Sequence, residues 1–325
     1  MSGSDEASGH VPVLVGEVLE RLAVRPGGIY VDGTLGSGGH ARAVLERAGP
    51  QGVLLGIDRD AEAIARARRN LQGVAGRCVF VKGNFAEVAG IARREGFDRV
   101  DGVLLDIGVS SEQLDEPERG FSFRADSALD MRMDRSSGST AADLIRRLSE
   151  EELRSILRDY GEEHRAARIA RAIVAARKRM PLATTGELAR VVETAAGGRR
   201  GRLHPATRTF QALRIAVNDE LDCLERGLVG GLDLLAPGGR LAVISFHSLE
   251  DRIVKRFAVR HAGRWESLQA GGRRWHGELP VVALVTRKPV TPSEEEVGRN
   301  PRARSAKLRV VERLAGGPPG AGIGS

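Results

Sequence analysis

The feature that most constrains the fold is a glycine-rich turn between a short apolar run and a helical pattern. Residues 28–40 read GIYVDGTLGSGGH, in which residues 29–31 predict a buried strand that ends at Asp32. Residues 41–48 then have the apolar spacing of a helix. Strand, glycine turn and helix together open a doubly wound nucleotide-binding sheet. In such a unit glycine lets the backbone approach a ligand, and the helix N-terminus offers unpaired N–H groups.

The spacing of these glycines excludes two common nucleotide motifs. The turn lacks the G-x-G-x-x-G pattern of dinucleotide sites, and Ser37 is followed by Gly-Gly-His without the lysine of a phosphate loop. The acid before the glycines, Asp32, would repel a pyrophosphate and attract an amino group. The turn therefore favours S-adenosylmethionine, whose methionyl end carries an ammonium. A purely structural strand-to-helix turn is the alternative.

Two further predicted strands, residues 52–57 and 100–105, are also followed by acids, Asp58 and Asp106. The carboxyl ends of parallel strands meet at one edge of a sheet, where ligands bind. We therefore expect the three acids to lie along that edge. Asp58 follows the glycines by about twenty residues, the spacing at which this fold places an acid on ribose hydroxyls.

Asp58 and Phe85 each have a structural role as the alternative to cofactor binding. Asp58 could instead cap the helix predicted over residues 61–70, although Asp60 is better placed for that role. After a third predicted strand, residues 78–81, Phe85 is expected either to wall the adenine or to belong to the core.

The alternation of strands and helices stops after Asp106. Residues 116–206 contain no clear buried strand, and their periodicity predicts helices over 141–148, 150–159, 162–179 and 185–193. A long helix over 210–228 is expected to return to the sheet, followed by a strand at 240–246, a helix at 248–257, a loop at 260–278 and closing antiparallel strands at 281–286 and 306–311. The predicted domains are a discontinuous sheet domain (10–115 and 207–313), an inserted helical domain (116–206) and disordered tails (1–9 and 315–325).

Composition limits the partners and the compartment. The formal net charge of +7 favours a polyanionic partner, with a general arginine bias as the alternative. The sequence has no apolar run of about eighteen residues and no secretory signal at its start, so neither a membrane span nor export is expected. The two cysteines, Cys78 and Cys223, are far apart, which disfavours a disulfide scaffold or a zinc site and fits a reducing cytoplasm.

Six stretches of the chain resemble the bacterial ribosomal RNA small-subunit methyltransferase H family. They are DGTLGSGGH at 32–40, LDIGVSS at 105–111, RGFSF at 119–123, LDMRMD at 129–134, HPATRTFQA at 204–212 and SFHSLEDRIVKR at 245–256. The resemblance runs from about residue 10 to residue 312 and is poor at 260–280. It implies an α/β fold of the class I, Rossmann-like type. The expected architecture is a seven-stranded, mostly parallel sheet interrupted by an all-helical substrate-recognition domain.

The same resemblance implies an activity and a set of partners. The family transfers a methyl group from S-adenosylmethionine to the N4 amino group of a specific cytidine in the decoding centre of 16S rRNA. The expected substrate is 16S rRNA within a small ribosomal subunit or a late precursor, in the cytoplasm, with no membrane or DNA partner. A homodimer is left open. Carried over onto matching motifs, the cofactor-binding residues are Gly38, Gly39, His40, Asp58, Phe85, Asp106 and Gln113.

Candidate catalytic residues follow from the chemistry of the exocyclic amine. Methyl transfer is an in-line displacement, so the protein must hold the amine in line and accept its hydrogen bonds. Asp106 suits that role, and it equally suits the cofactor's ammonium. Amino-methyltransferases usually carry D/N/S-P-P-Y/F here, whereas this chain has Asp106 followed by Ile-Gly-Val-Ser-Ser, so the base must stack elsewhere. Ser110 and His247 are the other candidates. The alternative for the segment after the fifth strand is a capping role only, with Glu250 and Asp251 capping the following helix.

Five arginines are candidate RNA contacts, with a solvated basic face as the alternative: Arg199, Arg200, Arg202, Arg208 and Arg214. Methylation at C5 would need a cysteine nucleophile, and neither cysteine follows the fourth strand. The sequence shows no clustered His and Cys ligands for a metal. Two other functions remain open: a non-catalytic ribosome-assembly factor that binds RNA, and a methyltransferase for another nucleic acid. A DNA enzyme usually shows the P-P-Y/F loop that is absent here.

Overall fold

The computed structural model describes residues 12–198, 204–267, 273–276 and 280–315, with 264–267 and 273–276 described by their backbone. The expected tails lie outside the described residues, apart from residue 315. The strands are β1 (Ile29–Asp32), β2 (Val53–Asp58), β3 (Arg77–Lys82), β4 (Val100–Asp106), β5 (Leu235–Ser245), β6 (Arg264–Ser267), β7 (Arg273–His276), β8 (Val282–Leu284) and β9 (Lys307–Arg313). The helices are α1 (Val15–Arg21), α2 (Gly39–Ala48), α3 (Ala61–Asn70), α4 (Val88–Arg94), α5 (Ser111–Asp115), α6 (Ala141–Arg147), α7 (Glu150–Asp159), α8 (Ala166–Arg177), α9 (Thr185–Ala196), α10 (Thr207–Asn218), α11 (Glu220–Leu234), α12 (Ser248–Ala262) and α13 (Glu294–Arg299).

Seven strands form one sheet in the order β3-β2-β1-β4-β5-β9-β8. Strands β1 to β5 are parallel, and β9 is antiparallel to both β5 and β8. This confirms the predicted seven-stranded, mostly parallel sheet and its closing antiparallel strands. In a doubly wound sheet of this order, ligands bind outside the carboxyl ends of the strands where the winding reverses, between β1 and β4.

Successive residues of the central strands enter two separate apolar cores. Tyr30, Leu54 and Leu104 belong to the core that contains α1, α2 and α3. Their neighbours Val31 and Leu55, with Leu105, belong to the core that contains α4, α11 and α12. Because strand side chains alternate between faces, this division shows that helices cover both faces of the sheet.

The chain divides into two compact units, a sheet unit before Val109 and after Glu220 and a helical unit over Val109–Glu220. Helices α5 to α10 lie in the helical unit, and their apolar faces form a third core. Its helices α6, α7 and α9 each begin with a capping box in which an N-cap hydroxyl and an acid three residues later bond each other's backbone: Thr140 with Asp143, Ser149 with Glu152 and Thr184 with Glu187.

The long helix expected over residues 210–228 is two helices. Asp219, between α10 and α11, adopts a left-handed conformation with φ of 48°. Phe210 and Leu213 of α10 belong to the core of the helical unit, whereas Leu224 and Leu228 of α11 belong to a core of the sheet unit. The expected insertion at 116–206 therefore lies inside a larger helical unit that also contains α5 and α10.

The loop expected at 260–278 is also wrong in part. Helix α12 continues to Ala262, and β6 and β7 pair as an antiparallel two-stranded sheet. Strands β6 and β7 read RWES and RRWH, so they lack the short apolar run that predicts β1. No helix among the described residues is both long and apolar enough to span a bilayer.

Candidate functional site

The glycine turn after β1 is hydrogen-bonded to the strands on both sides of β1. The N–H of Gly33 donates to the carbonyl of Leu104 in β4 at 2.9 Å, and the N–H of Leu35 donates to the carbonyl of Ile57 in β2 at 3.0 Å. A Cβ on Gly33 would lie 2.6 Å from the Leu105 side chain. This is closer than non-bonded carbon atoms approach, so a larger residue would require neighbouring atoms to move. The turn is therefore fixed against the carboxyl ends of three adjacent strands.

Two glycines give this turn its shape. Gly36 and Gly38 have φ of +53° and +86°, which other L residues rarely adopt. Gly38 precedes α2, and among the described residues no side chain caps that helix. A Cβ on Gly39 would lie 2.9 Å from Pro12, so this glycine also allows close packing. The turn thus leads to a helix N-terminus whose first N–H groups are suited to a ligand.

A partly buried hydrogen-bond chain links the ends of β1 and β4. The Asp32 carboxylate, 3% exposed, accepts from the N–H and the hydroxyl of Thr34 at 3.1 and 3.4 Å. The same Thr34 hydroxyl accepts the N–H of Asp106 at 2.7 Å. Burial raises the pKa of Asp32 to about 6, against the opposing effects of the His40 charge and the Thr34 N–H.

His40, in the first turn of α2, faces the Asp106 carboxylate. The imidazole is 7% exposed, and its Nε2 lies 3.5 Å from Asp106 Oδ2. Burial alone would lower the pKa of His40, but pairing with Asp106 outweighs it and the pKa is raised. Within the described residues, His40 Nε2 and Asp106 Oδ1 are buried atoms without a hydrogen-bond partner. Such atoms are costly unless a ligand or water completes them.

Asp58 and Asp60, at the junction of β2 and α3, have separate contacts. Asp60 is the N-cap of α3 and accepts the N–H of Glu62 at 3.0 Å. Asp58 accepts the N–H of Gly36 on one oxygen and that of Asp60 on the other, both at 2.8 Å. Burial raises the pKa of Asp58, against these two hydrogen bonds. The cap is therefore Asp60, as the sequence favours, and Asp58 ties the glycine turn to β2.

Phe85 lies in the short turn after β3 and is half-buried in the core of the sheet unit. A Cβ on Gly227 of α11 would lie 2.5 Å from its ring, so the ring packs closely on that glycine. The side chain of Asn84 fixes the turn by accepting the N–H of Ala86 at 3.0 Å and donating to the Cys223 sulfur at 3.1 Å. Phe85 therefore contributes to the core, and its role beside an adenine remains a prediction.

Comparison with known proteins identifies the family of this chain. A sequence model of the family described as the MraW methylase family matches residues 7–314. The chain belongs to the MraW methylase family. Three curated relatives carry the name ribosomal RNA small subunit methyltransferase H. The Symbiobacterium thermophilum protein is 52% identical over 95% of this chain and 98% of its own length. The proteins of Geotalea daltonii and Geobacter sulfurreducens are each 53% identical over 94% of this chain, and the alignments cover 98% and 99% of their lengths.

As a member of a methylase family the protein is a methyltransferase, and its methyl donor is S-adenosylmethionine. The residues at the sheet edge fit that cofactor. Asp32, Asp58 and Asp106 supply carboxylates, of which Asp106 Oδ1 is buried without a partner among the described residues. This donor set suits a ligand that carries a sulfonium and an ammonium. Left-handed glycines and an uncapped α2 allow it to approach the backbone.

Two predicted site residues, Ser110 and Gln113, lie in the helical unit. They cap α5 together: Ser110 Oγ accepts the N–H of Gln113 at 3.2 Å, and Gln113 Oε1 accepts the N–H of Ser110 at 3.1 Å. The Ser-x-x-Gln spacing is the sequence signature of this capping box. Catalysis by Ser110 and cofactor binding by Gln113 remain predictions.

His247 is the N-cap of α12, and Glu250, which the sequence proposes as a cap, completes the capping box. Its Nε2 lies 2.9 Å from Glu250 Oε1, and the other Glu250 oxygen accepts the N–H groups of Phe246 and His247 at 2.8 and 3.2 Å. The capping role is thus observed, whereas the catalytic role is a prediction that the geometry does not favour.

The predicted RNA-contacting arginines divide into three groups. Arg199, Arg200 and Arg202 lie outside the described residues. Arg208 is exposed and donates to the carbonyl of Glu162 at 3.2 Å. Arg214 is largely buried and donates to both Glu220 oxygens, at 2.9 and 2.8 Å. This paired geometry argues against a phosphate contact at Arg214.

Sequence reasoning missed two residues that shape the site, Thr34 and Asn84. Thr34 joins two strand ends through its hydroxyl, and Asn84 fixes the turn that carries Phe85. A signal existed for Asn84, because Asn before a short helical turn is a common cap. Thr34 had none, since its contact with Asp106 depends on the pairing of β1 with β4.

Proposed function

We propose that this protein transfers a methyl group from S-adenosylmethionine to the N4 amino group of a specific cytidine in the decoding centre of 16S rRNA. The observation that carries the proposal is the near full-length similarity, above half identity, to proteins named ribosomal RNA small subunit methyltransferase H. The N4 position and the decoding-centre target come from the family resemblance in the sequence motifs. Small ribosomal subunits or late precursors are the proposed form of the substrate.

In this proposal the cofactor is held by the carboxyl edge of the sheet. Asp58 hydrogen-bonds the ribose hydroxyls, the first N–H groups of α2 and the glycine turn face the bound ligand, and Phe85 lies beside the adenine. Asp58 keeps capacity for that role, because each of its oxygens accepts one backbone N–H and a carboxylate oxygen has two lone pairs. When bound, S-adenosylmethionine supplies a methyl group on a positively charged sulfur.

Asp106 is the residue proposed to act on the target amine. Its Oδ1 is buried without a partner among the described residues, so it can accept an N–H of the amine and take the proton that N4 loses when its bond to carbon forms. His40 lies behind the other oxygen, at 3.5 Å, and stabilises the negative charge. Asp106 is also suited to bind the ammonium group of the cofactor.

The cysteines argue against attack at C5 of the base. Burial raises the pKa of the Cys78 thiol to about 12, so it is protonated at neutral pH, and it lies within β3. Cys223 is buried in α11 and accepts hydrogen bonds from Asn84 and Arg59. Neither follows β4, where a nucleophile would meet the base.

The proposal is tested by mapping methylated nucleosides in 16S rRNA by mass spectrometry, in strains with and without the gene. We expect loss of one N4-methylcytidine in the deletion strain and its return when purified protein and S-adenosylmethionine are added to isolated small subunits. Asp106→Asn should fail to restore the N4-methylcytidine. An unchanged N4-methylcytidine level in the deletion strain would rule the proposal out.

A further inference from the structure

The loop after β4 carries no aromatic side chain on which a target or neighbouring base could stack. Residues 106–111 read DIGVSS. A base that leaves its helix loses stacking energy, and proteins that bind unpaired RNA replace it with aromatic faces. Among the described residues of the helical unit, one arrangement of side chains fits this need.

Phe123, in the loop before α6, forms a ring pair with His204. The ring centroids are 4.7 Å apart and the planes are tilted by 37°. The ring of Phe210 in α10 supports the pair from the core, edge-on to Phe123 at 4.8 Å, and is only 4% exposed. The Phe123 ring is therefore packed against the core of the helical unit.

Phe123 is more exposed than three of the large apolar side chains of its loop. Phe121, Leu129 and Met131 are 7%, 1% and 0% exposed. Phe123 is only half-buried, and the His204 side chain is 26% exposed. The core of the helical unit thus encloses the neighbours and leaves part of this ring pair at the surface.

The orientation of His204 supplies polar groups at the rim of the pair. Its Nδ1 accepts the N–H of Ala206 at 3.1 Å, which assigns the proton of the neutral ring to Nε2. Nε2 lies 3.9 Å from a Glu193 carboxylate oxygen. A donor and an acceptor beside an aromatic face match the edge of a nucleobase, which also presents both.

Cations suited to the phosphates flank this pair. Arg124 follows Phe123 directly and is exposed, and the exposed Arg208, in the first turn of α10, is four residues after His204. Aromatic faces among arginines are typical of sites for single-stranded RNA.

We propose that Phe123 and His204 form a stacking site for an unpaired nucleobase of the RNA. This inference rests on the proposed function, because it takes RNA as the substrate. The site recognises the flat face shared by all bases, so it orders a single strand on the helical unit without reading its sequence.

The test measures binding of the full-length protein to a single-stranded RNA oligonucleotide that carries 2-aminopurine, whose fluorescence is quenched by stacking. Phe123→Leu keeps apolar bulk and removes the ring, and we expect affinity to fall about tenfold or more, with loss of quenching. Phe123→Trp should retain both. His204→Asn keeps an acceptor for the Ala206 N–H and should weaken RNA binding. Calorimetric affinity for S-adenosylmethionine should not change in any variant.

The matched control is Phe210→Leu, which alters the buried ring beneath the pair. We expect it to lower the thermal midpoint while RNA affinity stays within about threefold of wild type. Wild-type affinity and quenching in Phe123→Leu would overturn the stacking site, as would a Phe123→Trp variant no better than Phe123→Leu. A wild-type protein that binds S-adenosylmethionine but neither the oligonucleotide nor isolated small ribosomal subunits would instead contradict the RNA substrate itself.

Discussion

At the scale of single residues, the unusual group is the Asp32 carboxyl, buried beside two other acids with its pKa raised to about 6. In the unfolded chain this carboxyl loses its proton near its ordinary pKa of 3.8. Between these values the folded protein binds more protons, so Asp32 makes stability fall as pH rises. We predict that the unfolding free energy of wild type, relative to Asp32→Asn, falls by about 3 kcal/mol from about pH 4 to pH 7. Urea unfolding across this range measures it.

The control for this prediction is Asp98→Asn, at an exposed acid of the same unit. Its unfolding free energy should follow that of wild type across the same pH range. If the curves for wild type and Asp32→Asn run parallel, Asp32 does not hold its proton in the folded state.

The strand-end acids were predictable at this scale, and their interactions were not. Asp32, Asp58 and Asp106 could be placed at one edge because each follows an apolar run of strand length. The contact of His40 with Asp106 and the shared hydrogen bonds of Thr34 depend on the register between β1 and β4, which no local pattern encodes. The raised pKa of Asp32 likewise follows from burial in the assembled sheet.

At the scale of elements, we predict that ligand binding and helix capping at the junction of β2 and α3 belong to different acids, Asp58 and Asp60. Asp58→Ala should weaken S-adenosylmethionine binding by about 1–3 kcal/mol, because the ribose and the Gly36 N–H lose their acceptor. Asp60→Ala should lower the unfolding free energy by about 1 kcal/mol through loss of the N-cap, with cofactor affinity little changed. Calorimetry and urea unfolding on both variants measure the two effects. Unchanged cofactor affinity in Asp58→Ala would refute the ribose assignment.

The helices of the inserted region were predictable because their signals are local. The expected helices at 141–148 and 150–159 match α6 and α7 within one residue at each end, since each combines a 3.6-residue periodicity with a capping box. The break at Asp219 was not predictable from periodicity, because the apolar spacing continues through it. Asn218 donates to the carbonyl of Met131 and accepts the N–H of Met133, contacts remote in sequence that fix the end of α10.

At the scale of the whole molecule, we expect cofactor binding and RNA binding to respond differently to salt. The cofactor site lies in the sheet unit, whereas RNA binding depends on the net charge of +7 of the chain. RNA affinity should fall steeply with salt, because each neutralised phosphate of a single strand contributes a slope of about −0.7 in log affinity against log salt concentration. Cofactor affinity should change little, since its partners are buried.

Arg208→Gln should reduce the steepness of the RNA slope by about 0.7, whereas Arg94→Gln, at an exposed position of α4 in the sheet unit, should leave it unchanged. Fluorescence titrations at several salt concentrations give both slopes. Equal slopes for Arg208→Gln and wild type would show that Arg208 contacts no phosphate. A salt-independent affinity in wild type would show that the positive charge of the chain does not act in RNA binding.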